Sequence, residues 1–229
     1  MPDLPTITAV RLTGARNRAE LPLLVLGPAL GTSATQLWAE AVPGLTDDFD
    51  VVAWDLPGHG HNRALPEAPL TLAELAGGVL AVVDEIQLQR DETGGSFAYV
   101  GEGVGGAVGL QLLLDHPRRV RDVVLLGTGA RCGDAAPAAG LAAYDVSDVA
   151  AGGVRQGGLV LLDGAVGLSA AEAPEEVARL VREHVLGETA DESGGAVVAL
   201  EVHLREALDA GLTLEEIEQV LGRLGRGAE

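Results

Sequence analysis

The sequence predicts an α/β protein: a parallel sheet that is cut short, followed by a helical C-terminal segment. Three observations carry this. Across the first 130 residues, short apolar runs alternate with helix-spaced patterns, the arrangement of parallel strands joined by crossovers. The stretch Phe97–Gly106 runs from an apolar strand into a glycine-rich turn, and Ala107–Leu114 continues it as a helix. From Pro174 onward the pattern is helical, with no further alternation.

The elements follow in order. Thr6–Leu12 suits an edge strand, and Leu21–Leu26 is an apolar run ending at Gly27, as expected of a strand buried on both faces. Val51–Asp55 is another, closed by the turn Pro57-Gly58-His59-Gly60. Thr71 and Glu74 spell a capping box, after which Leu72, Leu75, Ala76, Val79, Leu80 and Val83 recur at helical spacing. Phe97–Val100 and Val120–Leu126 complete the strands. Pro174 fits a first helical turn, Glu175 and Glu176 favour its positive dipole end, and Gly187 is a natural stop. Residues 196–210, closed by Gly211, and a third helix opened by Thr213 and Glu216 read as an αα-hairpin over 196–224. The domain reading is a core at 1–133, a lid-like loop with short helices at 134–170, and a helical tail at 171–229.

Composition narrows the function. A chain of 229 residues fits one compact domain with a small appendage. Its formal charge of −19 repels nucleic acid and anionic lipid, so neither is an expected partner. A single cysteine, Cys132, excludes an internal disulfide and multi-cysteine metal sites. The start Met1-Pro2-Asp3-Leu4-Pro5 lacks the basic and apolar regions of a signal peptide, and no run of eighteen apolar residues occurs. A cytoplasmic protein is expected, without cofactor or metal.

The chemistry centres on Gly101-Glu102-Gly103-Val104-Gly105. Its strand–turn–helix setting is that of the G-x-S-x-G nucleophile elbow, but position three is Gly103, with no hydroxyl or thiol. Leu23–Thr32 resembles the strand and oxyanion loop of α/β-hydrolases, and Trp54–Gly60 resembles their D-x-x-G-H-G turn. With Gly105–Pro117 and Val123–Arg131, the set over residues 8–165 is similar to 3-oxoadipate enol-lactonases of the β-ketoadipate route of aromatic breakdown. That resemblance implies a small carboxylate or lactone as ligand. It also implies an oxyanion site from the backbone of Leu30, Gly31, Val104 and Gly105.

Leu200–Ile217 resembles the carboxymuconolactone decarboxylase family, which in some bacteria is fused behind the lactonase. Ala196 and Ala199 stand where redox members of that superfamily carry cysteines, which excludes their thiol chemistry. His203 on this hairpin is the weak candidate for a remnant acid/base. The expected acid and histidine of a triad do not follow the sheet, and His184 and His203 both fall in helical patterns. The chain reads as a lactonase–decarboxylase fusion that has lost its middle.

Three functional classes stay open at this point: a hydrolase with another nucleophile, a non-catalytic binder of a small acid or a partner, and a decarboxylase-like helical assembly. The last, together with an unpaired edge beyond Val120–Leu126, leads us to expect a homo-oligomer. The glycines 101, 103 and 106 also fit a dinucleotide fingerprint, but its acidic residue would be Asp122, at the start of a strand among Arg118, Arg119 and Arg121. His59 is expected to pack behind its turn, and His61 and His116 to lie on the surface. Cys132, just past a strand end, is not expected to act as a nucleophile, since the sequence places no His or basic residue to activate it.

Overall fold

The computed structural model describes residues 4–14, 18–128 and 168–187, with the backbone of short strands at 131–132, 144–145, 156–158 and 197–200. The elements are β1 (Thr8–Arg11), β2 (Leu23–Gly27), α1 (Ala34–Leu37), β3 (Asp50–Asp55), α2 (Leu72–Gln89), β4 (Phe97–Glu102), α3 (Val104–Asp115) and β5 (Val120–Leu126). Then come β6 (Arg131–Cys132), β7 (Tyr144–Asp145), β8 (Gln156–Gly158), α4 (Ser169–Glu172), α5 (Pro174–Leu186) and β9 (Val197–Leu200).

Among the described residues the main sheet runs β1-β3-β2-β4-β5-β9-β8, and β6 pairs with β7 apart from it. All its pairings are parallel except β1 with β3. The strands alternate faces as a two-sided sheet requires. Leu23, Val25, Val52, Trp54, Tyr99 and Val123 pack with α2 and α3 on one side. Leu24, Leu26, Val51, Val100 and Val124 pack with Leu37, Trp38, Val177 and Val181 on the other. The result is a three-layer sandwich with helices on both faces.

Helix α2 starts where the capping box predicts. Glu74 N–H donates to Thr71 Oγ1 at 3.2 Å, and Thr71 N–H donates to Glu74 Oε2 at 2.8 Å. Those Thr71 hydrogen bonds hold the Glu74 carboxyl below its ordinary range. Helix α5 likewise runs from Pro174 to Leu186 with Gly187 as its C-cap.

Two expectations are corrected. The sheet does not end at β5, because β9 pairs with it in parallel, Val123 opposite Val198, and β8 lies beyond β9. Val197–Leu200, expected to begin a helix, is therefore a strand. Its run Val-Val-Ala-Leu suits both states, and the open edge of β5 decides between them by offering a ladder of backbone partners. Gln156–Gly158, assigned to a lid-like loop, also joins the sheet. The hairpin beyond residue 200 and His203 lie outside the described residues.

Candidate active site

Strand order fixes where a site can form. The connection after β2 leads to β3 on one side, while the helix after β4 leads to β5 on the other. Loops that diverge from adjacent parallel strands leave a crevice at the strands' carboxyl ends, the usual ligand position in such sheets. Here the two loops are Pro28–Ser33 and the turn at Gly103.

Gly103 sits at φ 55, ψ −117, a backbone state that a side-chain-bearing residue adopts only under strain. Its amide donates to the Leu126 carbonyl at 2.9 Å, so the turn is bound to the end of β5. A Cβ at this position would meet only Ala29 Cβ, at 4.0 Å. The space for a nucleophile is therefore present without the side chain that would fill it.

The elbow and the oxyanion loop are locked together. Gly105 N–H donates to the Pro28 carbonyl at 2.9 Å, and a Cβ on Gly105 would lie 2.5 Å from that same oxygen. Val104 opens α3 beside it, Gly31 turns the loop, and Leu30 is 44% exposed at the rim. No hydrogen bond from a described residue occupies the amides of Leu30 or Val104. Of the four residues named from sequence, Gly105 thus gives its amide to Pro28, while the amides of Leu30 and Val104 are the backbone donors left over among the described residues. Behind them, Tyr99 is fully buried; burial raises its phenol well above the ordinary range, against the opposing hydrogen bond from Trp54.

Glu102, the residue before the turn, carries a buried carboxylate. It accepts the amides of Ser169 and Ala170, the latter at 3.2 Å, and so pins the start of α4 over the elbow. Sequence reasoning passed over it because a single Glu among glycines looks like a solvated turn residue. No pattern of spacing marks a carboxylate that waits for a helix 67 residues downstream.

The second missed group is Asp55. Its carboxylate is fully buried and accepts from Ala34 N–H at 2.6 Å and His61 N–H at 2.8 Å, while His61 Nδ1 lies 3.0 Å away. Gly60 allows this wrap, since a Cβ there would come within 2.4 Å of Asp55 Oδ2. His61 is exposed as expected, but one ring edge is tied to that carboxylate. His59 is partly buried with Nδ1 3.2 Å from the Pro57 carbonyl, in keeping with a packing role. His116 is half-buried at the end of α3 rather than on the open surface, because the chain turns there to enter β5.

The remaining candidates lie apart. His184 is in the last turn of α5. Asp122 is nearly buried near the start of β5, at the end of the sheet away from Gly103, and pairs with Arg121 Nε at 2.6 Å. It is out of reach of a ligand on the glycine turn. Among the described residues no cluster of three or more His, Cys, Asp or Glu could hold a metal, and no helix is long and apolar enough to cross a membrane.

Comparison with known proteins agrees with this layout. The alpha/beta hydrolase fold family matches residues 22–151. A Pseudomonas savastanoi pv. phaseolicola protein named as a carbamate hydrolase, RutD, is 33% identical over 108 residues, which is 47% of this chain and 39% of that one. The 3-oxoadipate enol-lactonase 2 of Acinetobacter baylyi is 27% identical over 118 residues, 52% of this chain and 41% of the lactonase. The chain thus spans about two fifths of the length of these curated relatives. Among solved structures, a hydrolase from Pseudomonas aeruginosa PA01 aligns over 97% of this chain and 94% of its own, with a TM-score of 0.55 and 21% identity. The carboxylesterase CesB from Bacillus subtilis aligns over 80% and 90%, with a TM-score of 0.61 and 15% identity. At such identities these two similarities speak for the fold alone.

Proposed function

The chain belongs to the alpha/beta hydrolase fold family, and from that premise we propose that it is a relative of 3-oxoadipate enol-lactonases that binds a small carboxylate or lactone but is impaired in hydrolysis. The observation that carries this is Gly103. It keeps the backbone bend of a nucleophile and the room for its side chain, yet it offers no atom to attack a carbonyl. In triad hydrolases, removing one member leaves only what binding and the oxyanion donors supply. The amides of Leu30 and Val104, without a hydrogen-bond acceptor among the described residues, support such residual binding, and the likeness to the Acinetobacter lactonase supports the ligand class.

A turnover assay on clean protein with p-nitrophenyl acetate and with 3-oxoadipate enol-lactone tests the reading. We expect no hydrolysis above background for either. Saturable, robust turnover would require a nucleophile other than residue 103 and would overturn the impairment.

A further inference from the structure

Between the oxyanion loop and the Gly58–Gly60 turn lies an open depression of about 670 Å³. It is polar, and its charge runs against that of the whole molecule. The chain carries a net charge of −19, yet no Asp or Glu is among the described residues lining this depression. The ionisable groups facing it are His59, His61 and Arg63. Arg63 is exposed and has no carboxylate partner among the described residues. Leaving a cation unpaired in so acidic a surface creates a local positive field that attracts and orients an anion.

Two further features give the anion a shape. His61 is held in place by Asp55, with Nδ1 3.0 Å from the carboxylate, so Nε2 is the polar atom its ring presents outward. The Asp55 charge beneath is fully buried and already engaged by Ala34 and His61, which leaves Arg63 as the outward charge. Leu65, 81% exposed, lies against Gly58, whose turn lines the depression. A planar guanidinium fork matches a carboxylate, and the exposed Leu65 side chain matches a short alkyl chain.

We propose that this depression binds a small aliphatic carboxylate, with Arg63 holding the charge beside the Asp55-anchored ring of His61. The site shares Gly31 with the oxyanion loop but takes no residue from the turn at Gly103, and it requires no turnover. A failed hydrolysis assay therefore leaves it standing, and detected hydrolysis leaves it equally untouched.

The test is titration of the intact chain with adipate, followed by NMR of the histidine ring protons, with His61→Gln identifying the His61 signals. Adipate should shift those signals saturably at millimolar concentration, and the neutral diamide of adipate should not. Arg63→Gln should weaken binding about tenfold, the effect of losing one charge-assisted hydrogen bond. Arg118→Gln, which removes the same charge at the opposite end of the sheet, should leave affinity unchanged. Absence of a saturable shift, equal binding by the diamide, or an unaltered affinity in Arg63→Gln would each overturn the proposal. Inorganic phosphate binding as tightly as adipate would overturn the carboxylate assignment, because phosphate has nothing to set against Leu65.

Discussion

The Tyr99 hydroxyl donates to the Gly105 carbonyl at 2.8 Å, joining the middle of β4 to the first turn of α3 beneath the elbow. The Tyr99 hydroxyl oxygen in turn accepts from Trp54 Nε1 at 3.2 Å. A phenol buried under the sheet thus holds the helix whose N-terminus faces the crevice, and it does so only while protonated.

Tyr99→Phe should therefore destabilise the fold by about 1–3 kcal/mol, since it leaves the buried Trp54 indole N–H without a partner and removes one of the bonds to the Gly105 carbonyl. Chemical denaturation measures this directly. The wild type should also lose stability in alkali. Its folded-state pKa is raised above the unfolded value, so the contribution is complete below about pH 10 and is lost as pH climbs toward the folded pKa, at about 1.4 kcal/mol per unit. The chain has no lysine to blur that window, and Tyr99→Phe should remove the slope.

Replacing Gly103 separates strain from chemistry. Gly103→Ala should lower stability by about 1–3 kcal/mol because of the φ of 55°, with no steric clash to add to it. Gly103→Ser should fold with a similar loss and should not gain esterase activity. A gain of several orders of magnitude in kcat/KM would instead show that a histidine of this chain reaches the elbow.

Asp55→Ala should be among the most damaging substitutions in the molecule, about 3–5 kcal/mol, because it strands the buried Ala34 amide, the part-buried His61 amide and the His61 ring contact together. Thermal unfolding gives the loss. Histidine NMR of any folded fraction should show the His61 ring released.

Glu102→Ala should uncouple α4 from the sheet, since the amides of Ser169 and Ala170 lose their acceptor. Hydrogen exchange should then rise at residues 169–172 while β4 and β5 stay protected. Unchanged exchange at Ser169 and Ala170 would mean that packing of Ala170 alone holds the helix.

Local patterns in the sequence were enough to place β1 to β5, the capped start of α2, the extent of α5 and the strand–turn–helix at Gly103. Each rests on short-range physics: face alternation, a Thr–Glu cap, a proline first turn, or a glycine where φ turns positive. The glycine at the third position of the elbow was legible for the same reason, being a matter of one residue's identity. Tertiary structure alone decided the rest. Val197–Leu200 became a strand because β5 presented an unpaired edge, a partner that no local window contains. Glu102 and Asp55 became buried acceptors because distant amides, at Ser169 and Ala34, arrive over them once the layers close. A carboxylate in sequence carries no mark of whether water or a backbone N–H will satisfy it; burial makes that choice, and burial belongs to the whole fold.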